Sequence, residues 1–249
     1  MSDFELTELG HGDQPVLFVH GVLERGRSFA GVAEHLASEC RMWWYDRRGY
    51  GASADAPGVP VALDGHVADL LDIIDELPVE GPLVLAAHSF GGISALYAAL
   101  ARPERVGALA LYETGMAWLP GWPNDGINEL FFAEDGGASA VAAIFGRQLE
   151  QLEPEARARR EKEGHAFVAE QRTVRSPGYT PPDFGALRIP LVFGRGDAEM
   201  PWNLVVEYLQ GLVRDVEVVR IPGAAHNGHR THPAEVAGLV RRAIERMRS

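Results

Sequence analysis

Ala86-Ala87-His88-Ser89-Phe90-Gly91-Gly92 follows the apolar run Leu83-Val84-Leu85 and precedes the helical pattern Ile93-Ser94-Ala95-Leu96-Tyr97-Ala98-Ala99-Leu100. Strand, serine, helix, with small residues on both flanks, describes a serine held on a sharp, strained turn where the chain packs too tightly for bulky side chains. A reactive serine there needs a base, an acid and donors for a developing oxyanion, each at the end of a strand. The flanking sequence offers candidates for all of them.

Upstream, Pro15-Val16-Leu17-Phe18-Val19 is a β-branched and aromatic run stopped by His20-Gly21. Ser28 can cap a helix reaching Ser38, with Phe29, Val32, Ala33 and Leu36 on one face. Met42 to Tyr45 forms the next strand, and Asp46-Arg47-Arg48-Gly49-Tyr50-Gly51 reads as a turn. From Asp64, the apolar positions Val67, Leu70, Leu71 and Ile74 mark an amphipathic helix. Downstream, the pattern predicts strands over 106–112, 189–193 and 216–221, and helices over 90–101, 202–211 and 234–247. The strands are apolar on both faces, and they alternate with helices. Both traits belong to a mostly parallel, doubly wound sheet covered on two sides.

The alternation lapses over 114–185. That stretch opens on Trp118-Leu119-Pro120-Gly121-Trp122-Pro123-Asn124-Asp125-Gly126, rich in turn formers. A helical segment around Ala140, Val141, Ile144 and Phe145 follows, then a charged run from Glu153 to Glu163 that reads as a solvent-facing helix with mixed-sign pairs. The expected organisation is a core of 1–113 and 186–249 with a helical cap over 114–185, lying on the sheet's carboxyl edge. Long insertions beside active sites usually shape them.

The chain has 249 residues, of which 46% are hydrophobic, enough for one large core. Its formal charge of −12, from 35 acidic and 23 basic residues, argues against a nucleic-acid partner. Met1-Ser2-Asp3-Phe4-Glu5 is acidic from the start, and no apolar run approaches a membrane span. The single cysteine, Cys40, excludes an internal disulfide and reads as a small core residue. A cytoplasmic protein that meets a small-molecule substrate, with neither membrane nor nucleic acid as partner, is the expectation. Composition leaves its oligomeric state open.

Five segments together resemble the α/β-hydrolase superfamily, in its serine-nucleophile, esterase- and lipase-like branch. They are His20-Gly21, the turn Asp46-Arg47-Arg48-Gly49-Tyr50-Gly51-Ala52-Ser53, the elbow His88-Ser89-Phe90-Gly91-Gly92, the strand end Pro190 to Asp197, and the loop Pro222-Gly223-Ala224-Ala225-His226. The elbow departs from the family in carrying Ala87 where glycine is commonest. The resemblance implies an α/β-hydrolase fold with Ser89 as nucleophile, His226 as base and Asp197 as acid, and the amides of Val22 and Phe90 as oxyanion donors. Glu113, which ends the strand at 108–112, ranks second for the acid, because some hydrolases of this fold carry it there.

Other histidines read differently. His229 and His232 are rivals of His226, though His232-Pro233 better opens the last helix; His20 reads as a turn histidine and His88 as packing. Asp46 and Arg48 read as loop architecture. Met116, Trp118, Trp122 and Phe145 are candidates for an apolar pocket above Ser89 or for simple packing. Arg25 and Arg27 are available to an anionic substrate group or to solvent. No metal-ligand pair lies on a helix face with a third ligand nearby, and no nucleotide fingerprint follows a strand, so neither metal nor cofactor is expected. The expected activity is hydrolysis of a carboxylic ester, thioester or lactone through an acyl-enzyme. C–C or amide hydrolysis, perhydrolysis, or a non-catalytic ligand sensor are the alternatives. Serine at the nucleophile position disfavours the epoxide hydrolases and haloalkane dehalogenases of the fold, which place aspartate there.

Overall fold

A computed structural model describes residues 4–55, 62–123, 126–135 and 138–249. The acidic opening at Met1–Asp3 and the Asn124-Asp125 portion of the turn-rich stretch lie outside them. Among the described residues, seven strands form one sheet in the order β1-β3-β2-β4-β5-β6-β7. They are β1 (Thr7–Leu9), β2 (Gln14–Val19), β3 (Cys40–Trp44), β4 (Leu83–His88), β5 (Val106–Tyr112), β6 (Leu191–Arg195) and β7 (Val216–Arg220). Only β1 runs antiparallel, against β3; the other pairings are parallel. The sequence pattern locates β2 to β7 and misses β1, whose three residues are largely exposed and show no apolar run.

The doubly apolar strands are sandwiched as the pattern requires. Leu17, Val19, Leu85, Ala87, Leu109 and Leu111 point to one face. There they meet α2 (Leu63–Glu76), α3 (Phe90–Ala101) and α7 (Trp202–Leu212). Val16, Phe18, Val84, Ala86, Ala108 and Ala110 point to the other face. That side is covered by α1 (Ala30–Leu36) and α9 (Pro233–Arg248). Full burial of one such Val or Leu is worth about 1.5–3 kcal/mol, so the two layers fix the sheet's orientation strongly. Cys40 is buried in the second layer, as expected.

The order of strands decides where chemistry can sit. From β2 the chain moves outward to β3, then returns to add β4 on the opposite side of β2. Open α/β sheets form a crevice at such a reversal, beyond the carboxyl ends of the strands. Here those ends carry His20-Gly21 after β2 and Ser89 after β4.

Between β5 and β6 the chain inserts α4 (Ile127–Phe131), α5 (Ala138–Glu150) and α6 (Pro154–Arg175). A hypothetical methyl on Gly164 of α6 would meet Val141 Cγ2 at 2.6 Å, so a residue without a side chain lets α5 and α6 approach. Phe131, Ala140, Val141, Leu149 and Phe167 pack with Leu23 and Tyr50, seating these helices on the loops after β2 and β3. The charged run is not simply solvent-facing: Glu163 at its end is buried, as is Glu170 further along α6. Among the described residues no helix is long and apolar enough to cross a membrane. The last two helices are α8 (Gly228–Thr231) and α9, with Pro233 opening α9 as expected of His232-Pro233.

Candidate active site

Ser89 sits between β4 and α3 with φ of 51° and ψ of −127°. This left-handed backbone is unusual for a residue with a Cβ, and such strain is held only where the surroundings over-determine it. They do so here. Ser89 N–H donates to Tyr112 O at 3.0 Å, and Gly92 N–H donates to Ser89 O at 3.0 Å. A Cβ on Gly91 would run into the Val19 and His20 carbonyls, so the elbow can lie against β2 only with glycine there.

Ser89 Oγ lies 3.1 Å from His226 Nε2, and His226 Nδ1 lies 2.9 Å from Glu113 Oε2. Glu113 is fully buried at the end of β5 with φ of 44°. Its other oxygen, Oε1, accepts from Gly196 N–H at 2.8 Å. His226 is half exposed from the cavity side, at 46% of its side-chain area. Protein packed around the ring lowers its pKa below the ordinary histidine value, opposed by the hydrogen bond to Glu113 and reinforced by His88. A neutral imidazole with a free Nε2 lone pair is the form that accepts a hydroxyl proton.

The expectation that Asp197 faces His226 is not met. Asp197 lies on the surface, where Oδ1 accepts from Arg220 Nε at 3.1 Å and Nη2 at 2.8 Å, and Oδ2 from Gly223 N–H at 2.8 Å. These bonds lower its pKa, the Gly223 amide foremost. Its carboxylate ties the strand end to the histidine loop, and the residue ranked second, Glu113, meets the imidazole. The backbone reason is local. Glu113 N–H donates to Gly194 O at 2.9 Å, keeping β5 and β6 in register to the last residue of β5 and beyond, so the Glu113 side chain turns directly into the crevice.

The histidine loop is held from below. Tyr112 Oη donates to Ala225 O at 2.7 Å, and His88 Nε2 donates to His226 O at 2.8 Å. His88 therefore does more than pack: it bears on the backbone of the histidine beside the serine. His229, the rival base, is buried against Phe29 and His88, with its Nε2 3.1 Å from Glu24 Oε1, whereas His226 is the histidine that Ser89 Oγ meets. His232 Nδ1 bonds Thr231 Oγ1 at 2.9 Å. On the other face of His226, Trp202 stacks at 5.4 Å with an interplanar angle of 9°.

Val22 and Phe90 flank the serine. The Phe90 N–H belongs to the first turn of α3, where no helical carbonyl can satisfy it. Val22 lines the cavity that holds Ser89. The loop carrying Val22 is fastened by a buried arginine the sequence reading did not single out. Arg47 donates from Nε to His20 O at 2.8 Å, from Nη2 to Gly21 O at 2.9 Å, and from Nη1 to Glu170 Oε1 at 2.7 Å. Tyr50 Oη donates to Glu170 Oε2 at 2.8 Å. His20 Nε2 accepts from Arg47 N–H at 2.8 Å, fixing it as the turn histidine expected. Glu163 pairs with Arg25, and Arg160 donates to Leu23 O, so α6 clamps the same loop at three charged positions. Arg25 thus has a protein partner rather than a free charge. Asp46 accepts from Gly26 and Ala52 amides and Arg48 pairs with Asp69, the loop architecture expected of both.

Two cavities meet at Ser89 and His226. One, of about 300 Å³, is lined by Val22, Ile144, Phe145, Leu149, Arg160 and Arg230 among others. The second, of about 130 Å³, is lined by Phe90, Ile93, Trp122, Val174 and Trp202. Of the four pocket candidates, Trp122 and Phe145 line these spaces. Met116 is fully buried in the sheet core, and Trp118 packs on Tyr179, so these two serve packing. Phe145→Ala is expected to shift ester chain-length preference towards longer groups. Trp122→Ala, opening the smaller cavity, is expected to admit a bulkier second group. A panel of p-nitrophenyl and alkyl esters checks both; unchanged selectivity in both variants would reduce these aromatics to packing.

The sequence profile of the alpha/beta hydrolase family matches residues 16–239, and the chain belongs to that family. Lipase LipV of Mycobacterium tuberculosis is 39% identical over 106 residues, 43% of this chain and 39% of the lipase. Epoxide hydrolase 2 of Siraitia grosvenorii is 26% identical over 300 positions, covering 96% of this chain and 93% of that protein. Pimeloyl-[acyl-carrier protein] methyl ester esterase of Chromobacterium violaceum is 35% identical over 118 residues, 47% of this chain and 43% of the esterase. The chain therefore spans less than half of the two ester-cleaving relatives. Among solved structures, a thermophilic esterase from Thermogutta terrifontis superposes with a TM-score of 0.75 at 23% identity, covering 99% of this chain and 94% of the other, which shows a shared fold.

Proposed function

We propose that the protein is a serine hydrolase that cleaves carboxylic esters, thioesters or lactones through an acyl-enzyme, using Ser89, His226 and Glu113. One observation carries the reading: Ser89 Oγ stands 3.1 Å from an imidazole nitrogen whose opposite nitrogen meets a buried carboxylate at 2.9 Å. In the proposed reaction Ser89 Oγ attacks the acyl carbon as His226 Nε2 takes its proton. Glu113 holds the Nδ1–H tautomer and stabilises the imidazolium. The amides of Val22 and Phe90 receive the oxyanion. His226 then returns the proton to the leaving alcohol or thiol, and water repeats the sequence on the acyl-enzyme.

The two cavities suit a substrate with groups of unequal size, one against Ile144, Phe145 and Leu149, the other against Trp122 and Trp202. The epoxide hydrolase relative covers nearly the whole chain. Ring opening through an alkyl-enzyme ester calls for a carboxylate nucleophile, whereas this elbow carries the Ser89 hydroxyl, and that favours acyl transfer. A fluorophosphonate probe is expected to label wild-type protein at Ser89 and to leave Ser89→Ala unlabelled, with p-nitrophenyl butyrate turnover lost in parallel. Turnover of styrene oxide without labelling or ester cleavage would overturn the reading.

A further inference from the structure

We propose that Glu24, His88 and His229 form a binding site for one divalent transition-metal ion of the zinc class, seated beneath the loop that follows β2. A carboxylate oxygen of Glu24 and one ring nitrogen from each histidine lie within 4.8 Å of one another. Glu24 Oε2 is 2.9 Å from His88 Nδ1, and Glu24 Oε1 is 3.1 Å from His229 Nε2. A tetrahedral zinc centre with bonds of about 2.0–2.1 Å separates its ligand atoms by about 3.3 Å, so small adjustments would accommodate an ion.

The hydrogen bonding around the cluster points to a cation. His88 Nε2 faces the His226 carbonyl at 2.8 Å, and a carbonyl only accepts, so that nitrogen carries the hydrogen. In a neutral ring the Nδ1 lone pair is then aimed at a carboxylate oxygen, which already accepts from Gly21 N–H at 2.9 Å. Two acceptors cannot face each other at 2.9 Å without a proton or a metal ion between them. A proton on His88 satisfies that contact alone. It leaves His229, fully buried, with neither ring nitrogen in an aligned hydrogen bond among the described residues. A metal ion engages one nitrogen of each imidazole and the carboxylate together, and leaves only His229 Nδ1 without a partner among the described residues. The outer contacts also match a metal centre: ligating histidines donate their other N–H to a carbonyl, as His88 does, and ligating carboxylates are themselves hydrogen-bonded, as Glu24 is to Gly21. Glu24 borders the 300 Å³ cavity, giving an ion a way in and a water molecule the fourth position. The sequence carries no metal signature because the three ligands come from a loop, the end of β4 and the short helix α8, with no short spacing to betray them.

Untagged, chelator-treated Ser89→Ala protein is titrated with Zn²⁺ in a calorimeter, and Co²⁺ is added separately to read its visible absorption. Using Ser89→Ala makes the result independent of the proposed reaction. Binding of a single equivalent is expected, with an intense Co²⁺ band of four-coordinate type. Affinity should fall by about tenfold or more in Glu24→Gln and His229→Gln, and hold in His232→Ala. No binding, or binding that both ligand substitutions leave unchanged, overturns the site. If those variants fail to fold, the Co²⁺ band of the parent protein decides: its absence means that the cluster holds a proton only.

Discussion

Glu113→Gln is expected to lower kcat for ester hydrolysis by about 10³- to 10⁴-fold, the scale seen when the acid of a serine–histidine relay becomes an amide. Asp197→Asn is expected to leave kcat close to the wild-type value. The size of the first effect follows from the second oxygen of Glu113. Oε1 accepts from Gly196 N–H, so a glutamine there keeps its carbonyl on Gly196 and turns its NH2 towards His226 Nδ1. Two donors then face each other unless the imidazole moves its hydrogen to Nε2. That tautomer has no lone pair left for the Ser89 proton. Asp197, occupied by Arg220 and Gly223 at the surface, has no such leverage. Steady-state kinetics on the two variants decide the matter, and loss of activity in Asp197→Asn with a normal Glu113→Gln would reverse the assignment.

Glu170→Gln is expected to destabilise the protein by about 3–5 kcal/mol, because it leaves the Arg47 guanidinium buried without its counter-charge. Both side chains of this pair are fully buried. The remaining partners of Arg47, the His20 and Gly21 carbonyls, are dipoles and carry no compensating charge. For a chain of this size the loss corresponds to a Tm lower by on the order of 10 °C. Glu161→Gln, which breaks the exposed helix pair with Arg157, is expected to cost only about 0.3–0.5 kcal/mol. Thermal denaturation of the two variants side by side checks the contrast, and equal Tm values would show that Arg47 finds another partner. Since Arg47 also fastens the loop bearing Val22, Glu170→Gln should lower kcat as well.

Ser89 and His226 are legible in the sequence because each is announced by its neighbours. The serine sits among residues small enough for the bend, and the histidine follows a strand at the length its loop needs. The acid is not legible in the same way. Glu113 and Asp197 both end strands, and the choice depends on which carboxylate the histidine loop reaches once Gly223 has taken the other. Two adjacent parallel strands put both candidates at the same edge of the sheet, and no local pattern breaks that tie. The helix at 138–150 and the charged first half of the helix at 154–175 are visible as helical patterns, whereas the second half of the latter is not. Their contribution is not, since Glu163 looks like the end of a solvated charge run and Glu170 lies beyond it, until Arg25 and Arg47 are brought against them. Met116 and Trp118 mislead for the opposite reason: bulky apolar residues near a crevice serve a core or a pocket equally well until the fold chooses.

The indole of Trp202 lies flat on His226, so the β6–α7 segment supplies the imidazole with an aromatic neighbour in place of a carboxylate. When His226 takes up a proton in the proposed acyl transfer, its new charge rests on the electron-rich face of that ring. Such contacts favour a cation by roughly 0.5–2 kcal/mol. The ring thus sides with the fleeting ionised state of the cycle over the resting one, from a direction in which no hydrogen bond competes.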